Sequence, residues 1–83
     1  MKKNAQEIAD ANLQDVILRP EGSFGTVIHY VLSLHNEDAD IGEEVSRLMY
    51  AKLSNFYPSC RVELKTWLAP NHEFNIKLSV WQS

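Results

Sequence analysis

The stretch CRVELKTWLAPNHEFNIKLSVW, residues 60–81, decides the fold. In residues 60–68, Val62, Leu64, Thr66 and Leu68 alternate with Arg61, Glu63, Lys65 and Trp67. In residues 73–81, Phe74, Ile76, Leu78 and Val80 alternate with Asn75, Lys77, Ser79 and Trp81. A period of two belongs to strands, whose successive side chains point to opposite faces. Between the two runs lies Ala69-Pro70-Asn71-His72, which has turn chemistry: proline pre-sets one dihedral and asparagine bonds back to its own backbone. The sequence therefore predicts a half-buried antiparallel hairpin. Loops of three and of five residues both keep the apolar faces aligned, so both registers stand at this point.

Working back toward the N-terminus, residues 40–56 read as a helix. Ile41, Val45, Leu48, Met49, Leu53 and Phe56 fall on one stripe at helical spacing, and Pro58 closes the segment. Asp40 followed three residues later by Glu43 has the spacing of a capping box, in which the two side chains satisfy orphan backbone N–H groups. Residues 26–35 are rich in branched and aromatic side chains that suit a pleated surface. Read as a strand, they place Ile28, Tyr30, Leu32 and Leu34 on one face. Val27, His29, Val31, Ser33 and His35 fall on the other. A helix over residues 24–35 is the rival, because Phe24, Val27, Ile28, Val31 and Leu32 also fit a period of 3.6. Residues 21–25, with two glycines, read as a turn. Ala5, Ile8, Ala9, Leu13, Val16 and Ile17 give an amphipathic helix over residues 5–18, stopped by Pro20, although residues 15–19 also read as extended.

The expected order is α-β-α-β-β in an α+β domain spanning the 83 residues. The connection from the first strand to the second is long enough for a parallel crossover, which sets the last strand between the other two, antiparallel to both. The sheet is then three-stranded and mainly antiparallel. Both helices cover the Ile28/Leu64/Ile76 face, and the opposite face stays open.

Composition narrows the function classes. Apolar residues make up 45% of the chain, enough for a core, and the formal charge is -3. A binder relying on bulk positive charge is disfavoured. The single cysteine, Cys60, allows neither an intrachain disulfide nor a zinc finger. The longest apolar-rich run, residues 27–34, falls far short of the roughly 20 residues that span a bilayer. Two early lysines are not followed by an apolar segment, so no signal peptide is read. A cytoplasmic location, with Cys60 as a free thiol, is the expectation.

Charge is segregated. Residues 1–44 carry nine of the eleven carboxylates, and five of these, Glu37, Asp38, Asp40, Glu43 and Glu44, fall within eight residues. Such a run is ordinarily a solvated loop leading into a helix N-terminus, where carboxylates favour the helix dipole. It also suits an anionic surface aimed at a basic partner. The open sheet face is the second candidate. It displays Val27, His29, Val31, Arg61, Lys65, Trp67, Lys77 and Trp81, a large apolar area to leave in water. Cover by another segment or by a second copy is one explanation, and a recognition face rich in hot-spot residues is the other. Aromatics interleaved with lysine and arginine can also stack bases, but the acidic balance ranks a protein partner above nucleic acid.

Catalytic and metal chemistry find little support. His29 and His35 lie six residues apart, roughly 20 Å along a strand, too far to share a metal. The acidic run lacks the alternating ligands and central glycine of a calcium loop. Gly22-Ser23-Phe24-Gly25 fits neither phosphate-loop nor dinucleotide patterns. Neither cofactor nor metal is expected, and an enzyme ranks below a binding module.

The leading expectation is thus a small acidic inhibitor or regulator of a nucleic-acid-handling complex, its carboxylates occupying a basic channel built for phosphates. Phage-encoded inhibitors of host defence, such as anti-CRISPR and anti-restriction proteins, are similar in size and charge, and the likeness extends no further. A homodimer that buries the open sheet face is the alternative. A small RNA-binding sheet is the third reading.

Overall fold

A computed structural model describes residues 4–14 and 25–82. Its elements are α1 (Ala5–Asn12), β1 (Val27–Leu34), a 3-10 segment (Asn36–Ile41), α2 (Gly42–Phe56), β2 (Arg61–Ala69) and β3 (Glu73–Trp81). The expected α-β-α-β-β order and α+β class are therefore observed. The alternation in residues 27–34 yields a strand, and the rival helix does not form.

The sheet order is β1-β3-β2, with β3 antiparallel to both neighbours. Both registers follow the alternation. Ile28, Val80 and Val62 lie in one row, Tyr30, Leu78 and Leu64 in the next, then Leu32, Ile76 and Thr66. The β2–β3 connection resolves to the three-residue loop, because Ala69 pairs with Glu73. His72 N–H donates to the Ala69 carbonyl at 3.2 Å, and His72 sits at φ 61 in the left-handed region. A turn followed by one left-handed residue is a common three-residue hairpin solution.

The core forms where the helices meet the row of alternate residues. Ile76, Leu78 and Val80 of β3 are fully buried, with Val45, Met49 and Leu53 of α2 and Ala9 and Leu13 from the α1 side in the same cluster. Each of the larger side chains among these contributes about 1.5–3 kcal/mol by leaving water. Asn4 caps α1: its side-chain oxygen accepts from the Glu7 N–H at 2.8 Å. Lys52 of α2 reaches Asp10 of α1 at 3.2 Å. The Gln6 amide and then Lys52 hold the Asp10 carboxyl below the usual aspartate range.

Three sequence expectations need correction. The first helix ends at Asn12, shorter than residues 5–18, while residues 15–24, including Val16, Ile17, Pro20 and most of the expected turn, lie outside the described residues. The Asp40/Glu43 capping box is not formed. Residues 36–41 wind as a 3-10 segment instead, α2 begins at Gly42, and Ile41 at its N-cap makes no side-chain capping bond. Asp40 Oδ1 lies instead 3.2 Å from His72 Nε2, a partner distant in sequence. Gly42 lies so close to the Phe74 ring that a Cβ at this position would overlap it. Third, the helices do not fully cover the expected buried face: Ile28 and Ile76 are buried, but Leu64 is 37% exposed and Leu68 61%.

The Gly42 contact gives a test. Alanine has better helix propensity than glycine by about 1 kcal/mol, but overpacking against Phe74 costs about 1–3 kcal/mol. Gly42→Ala is therefore expected to lower stability in chemical denaturation. Adding Phe74→Leu in the same chain should recover part of the loss.

Candidate functional site

The open sheet face collects the residues that alternation assigns to it. Val27, Trp81 and Arg61 form one row, His29, Ser79 and Glu63 the next, then Val31, Lys77 and Lys65, then Ser33, Asn75 and Trp67. Two rows are tied by direct cross-strand bonds. His29 Nδ1 lies 2.9 Å from Ser79 Oγ, and Ser33 Oγ donates to Asn75 Oδ1 at 2.7 Å. Ser79 and Asn75 are buried despite facing outward, because β3 is flanked by strands on both sides.

The two tryptophans differ in environment. Arg61 stacks over the Trp81 ring, 5.4 Å from its centroid, and the Trp81 indole N–H donates to Glu63 Oε1 at 3.2 Å. Glu63 also forms an ion pair with Arg61, Nε to Oε2 3.6 Å. Trp81 is thereby half-buried within a closed group of three side chains. The Lys65 ammonium lies over the Trp67 ring, 6.0 Å from its centroid, and Trp67 is 43% exposed.

Lys65 and Lys77 stand directly opposite one another on adjacent strands. Like charges in this position repel. Among the described residues no carboxylate lies within ion-pair distance of either ammonium. With Trp67 they line a shallow hollow of about 440 Å³. A larger hollow, about 880 Å³, has Tyr50 and residues 62–65 of β2 in its lining and extends across the open face to Lys77, Ser79 and Trp81 of β3 and His29 of β1.

The acidic run lies at the hairpin end of the sheet. Glu37, Asp40, Glu43 and Glu44 are exposed and Asp38 is half-exposed. Asn36, at φ 55, turns the chain out of β1 into the 3-10 segment, a conformation asparagine tolerates. Three contacts then join this segment to the β2–β3 hairpin. His72 Nε2 lies 3.2 Å from Asp40 Oδ1, His35 Nδ1 lies 3.6 Å from Glu73 Oε2, and Gly42 packs on Phe74. Leu68, largely exposed, pairs with Phe74 across the hairpin.

The sequence candidates thus separate into an anionic end and a mixed sheet face. No group of three or more His, Cys, Asp or Glu among the described residues is arranged to hold a metal ion. No helix among them is long and apolar enough to cross a membrane. Sequence reasoning missed Leu64 and Leu68, whose alternation marks a face but not whether anything covers it. It also missed Glu63 as the acceptor that fixes Trp81. Comparison with protein-family models, curated proteins and solved structures finds no match for this chain.

The difference between the tryptophans is measurable. Acrylamide is expected to quench Trp67 more strongly than Trp81. In Trp67→Phe the remaining emission should therefore be markedly less quenchable, whereas Trp81→Phe should leave a strongly quenched signal.

Proposed function

We propose that this chain is a non-enzymatic protein-binding module, a small acidic regulator or inhibitor that seats its anionic end on the basic surface of a nucleic-acid-handling complex. The observation that supports this reading most is the attachment of the acidic segment to the hairpin. The His72–Asp40 and His35–Glu73 contacts and the Gly42–Phe74 packing hold the carboxylates of residues 37–44 at the hairpin end of the sheet, where Phe74 pairs with exposed Leu68.

Two physical arguments connect that arrangement to binding. Carboxylates on an already ordered segment lose little freedom on docking, so less of their attraction is spent on ordering. Charge opposite to a phosphate-binding channel accelerates encounter and disfavours wrong partners, while exposed Leu68 at the same end of the sheet supplies desolvated contact area. The partner implied is a protein surface rich in lysine and arginine. Cytoplasmic action fits such a partner and a cysteine, Cys60, that is in no disulfide.

The test is capture from nuclease-treated host lysate, with the mass of the recovered complex read by light scattering. A stoichiometric complex is expected with the wild-type chain. Replacing Glu37, Asp38, Glu43 and Glu44 together by lysine should abolish it, and replacing them by their amides should weaken it. A complex that survives the lysine set unchanged, with the variant still folded by circular dichroism, overturns the reading.

A further inference from the structure

We propose that the outer edge of β2 pairs antiparallel with the β2 of a second copy of this chain, in the register that sets Leu64 opposite the partner's Leu64. The sheet then continues through the two-fold axis in the order β1-β3-β2-β2-β3-β1.

The edge itself is the first observation. β2 is nine residues long and lies at one side of the sheet. Among the described residues no strand pairs with its outer side. Such an edge offers a row of unpaired N–H and C=O groups, which natural proteins blunt with charge, proline, a bulge or a cover. Here it also carries three of the exposed large apolar side chains, Leu64, Trp67 and Leu68.

Charge complementarity identifies the occupant. An edge blunted against pairing is served by charges of one sign. β2 instead reads Arg61, Glu63, Lys65 along its open face, alternating in sign. Such a pattern complements itself when reversed about Leu64. In that register Glu63 faces the partner's Lys65, Arg61 faces the partner's Trp67, and each contact occurs twice by symmetry. On the helix face Leu64 meets the partner's Leu64, and Val62 meets the partner's Thr66.

Neighbouring registers fail for stated reasons. A slip of one residue turns the open face of one copy against the helix face of the other. Centring on Lys65 opposes it to the partner's Lys65, each already beside a Lys77 on β3, so four ammonium groups would stand in line. Centring on Thr66 leaves Lys65 without a carboxylate. The Leu64 register brings Glu63 of one copy to Lys65 of the other, and so supplies the counter-charge that the Lys65–Lys77 pair lacks within the described chain.

The proposal uses none of the carboxylates of residues 37–44 and stands apart from the binding role of that end. Its test is the solution mass of the full chain across a concentration series. The mass should rise from 9.5 kDa toward twice that value. Glu63→Lys and Lys65→Glu should each weaken the dimer about tenfold or more, since each places like charges opposite one another twice. The double variant Glu63→Lys/Lys65→Glu restores opposite charges across the edge and should recover dimerisation. Thermal melts of all three variants confirm that the monomer fold persists. A monomer mass up to high micromolar concentration leaves this edge to a strand of some other chain and overturns the proposal. A dimer indifferent to both single reversals, or a double variant no better than the singles, overturns it equally.

Discussion

The structure depends on one constraint: β3 must be paired on both sides. Its helix-facing residues Ile76, Leu78 and Val80 have no exposure at all, and its outward residues Asn75 and Ser79 are nearly as buried. A strand so placed needs a neighbour at each edge to satisfy its backbone, and β1 and β2 provide them. The two outer strands are consequently parallel to each other and joined through α2. That connection brings α2, with α1 beside it, onto the single apolar face. The buried polar groups on the other face are met by β1, through His29 to Ser79 and Ser33 to Asn75.

The two outer strands carry unequal cover. β1 has Ile28, Tyr30 and Leu34 buried beneath the helices. β2 has Val62 and Ala69 half-buried, and Arg61 and the residues from Glu63 to Leu68 exposed. Of the two edge strands, β2 thus carries more of the exposed apolar surface, while the carboxylates of residues 37–44 collect at the hairpin end. Two surfaces with different physics result. The end is charged, solvated and held by long-range contacts, and the edge is partly apolar and offers directional hydrogen bonds.

Much of this was legible in the sequence because it is periodic. The alternation in residues 60–68 and 73–81 gives the hairpin, its faces and the central place of the last strand, and the stripe from Val45 to Leu53 gives α2. Contacts distant in sequence were not legible. The Asp40–Glu43 spacing has the form of a cap, yet Asp40 lies against His72 and α2 starts at Gly42, where Phe74 leaves no room for a side chain. Local spacing carries no trace of a contact thirty-two residues away. Likewise, alternation put Leu64 and Leu68 on the core face, but coverage depends on where the helices lie. For the candidate surfaces, the sequence assembled the right residues on the open face without separating Trp81, closed in by Arg61 and Glu63, from Trp67.

The central claim is that β3 organises the molecule, and native-state amide hydrogen exchange on dilute protein tests it most directly. Amides of residues 75–80 should be the slowest in the sheet and open only with global unfolding, while β2 amides on the outer edge exchange by local opening. If residues 75–80 exchange as fast as those of β2, β3 is not the buried middle strand and the account is contradicted.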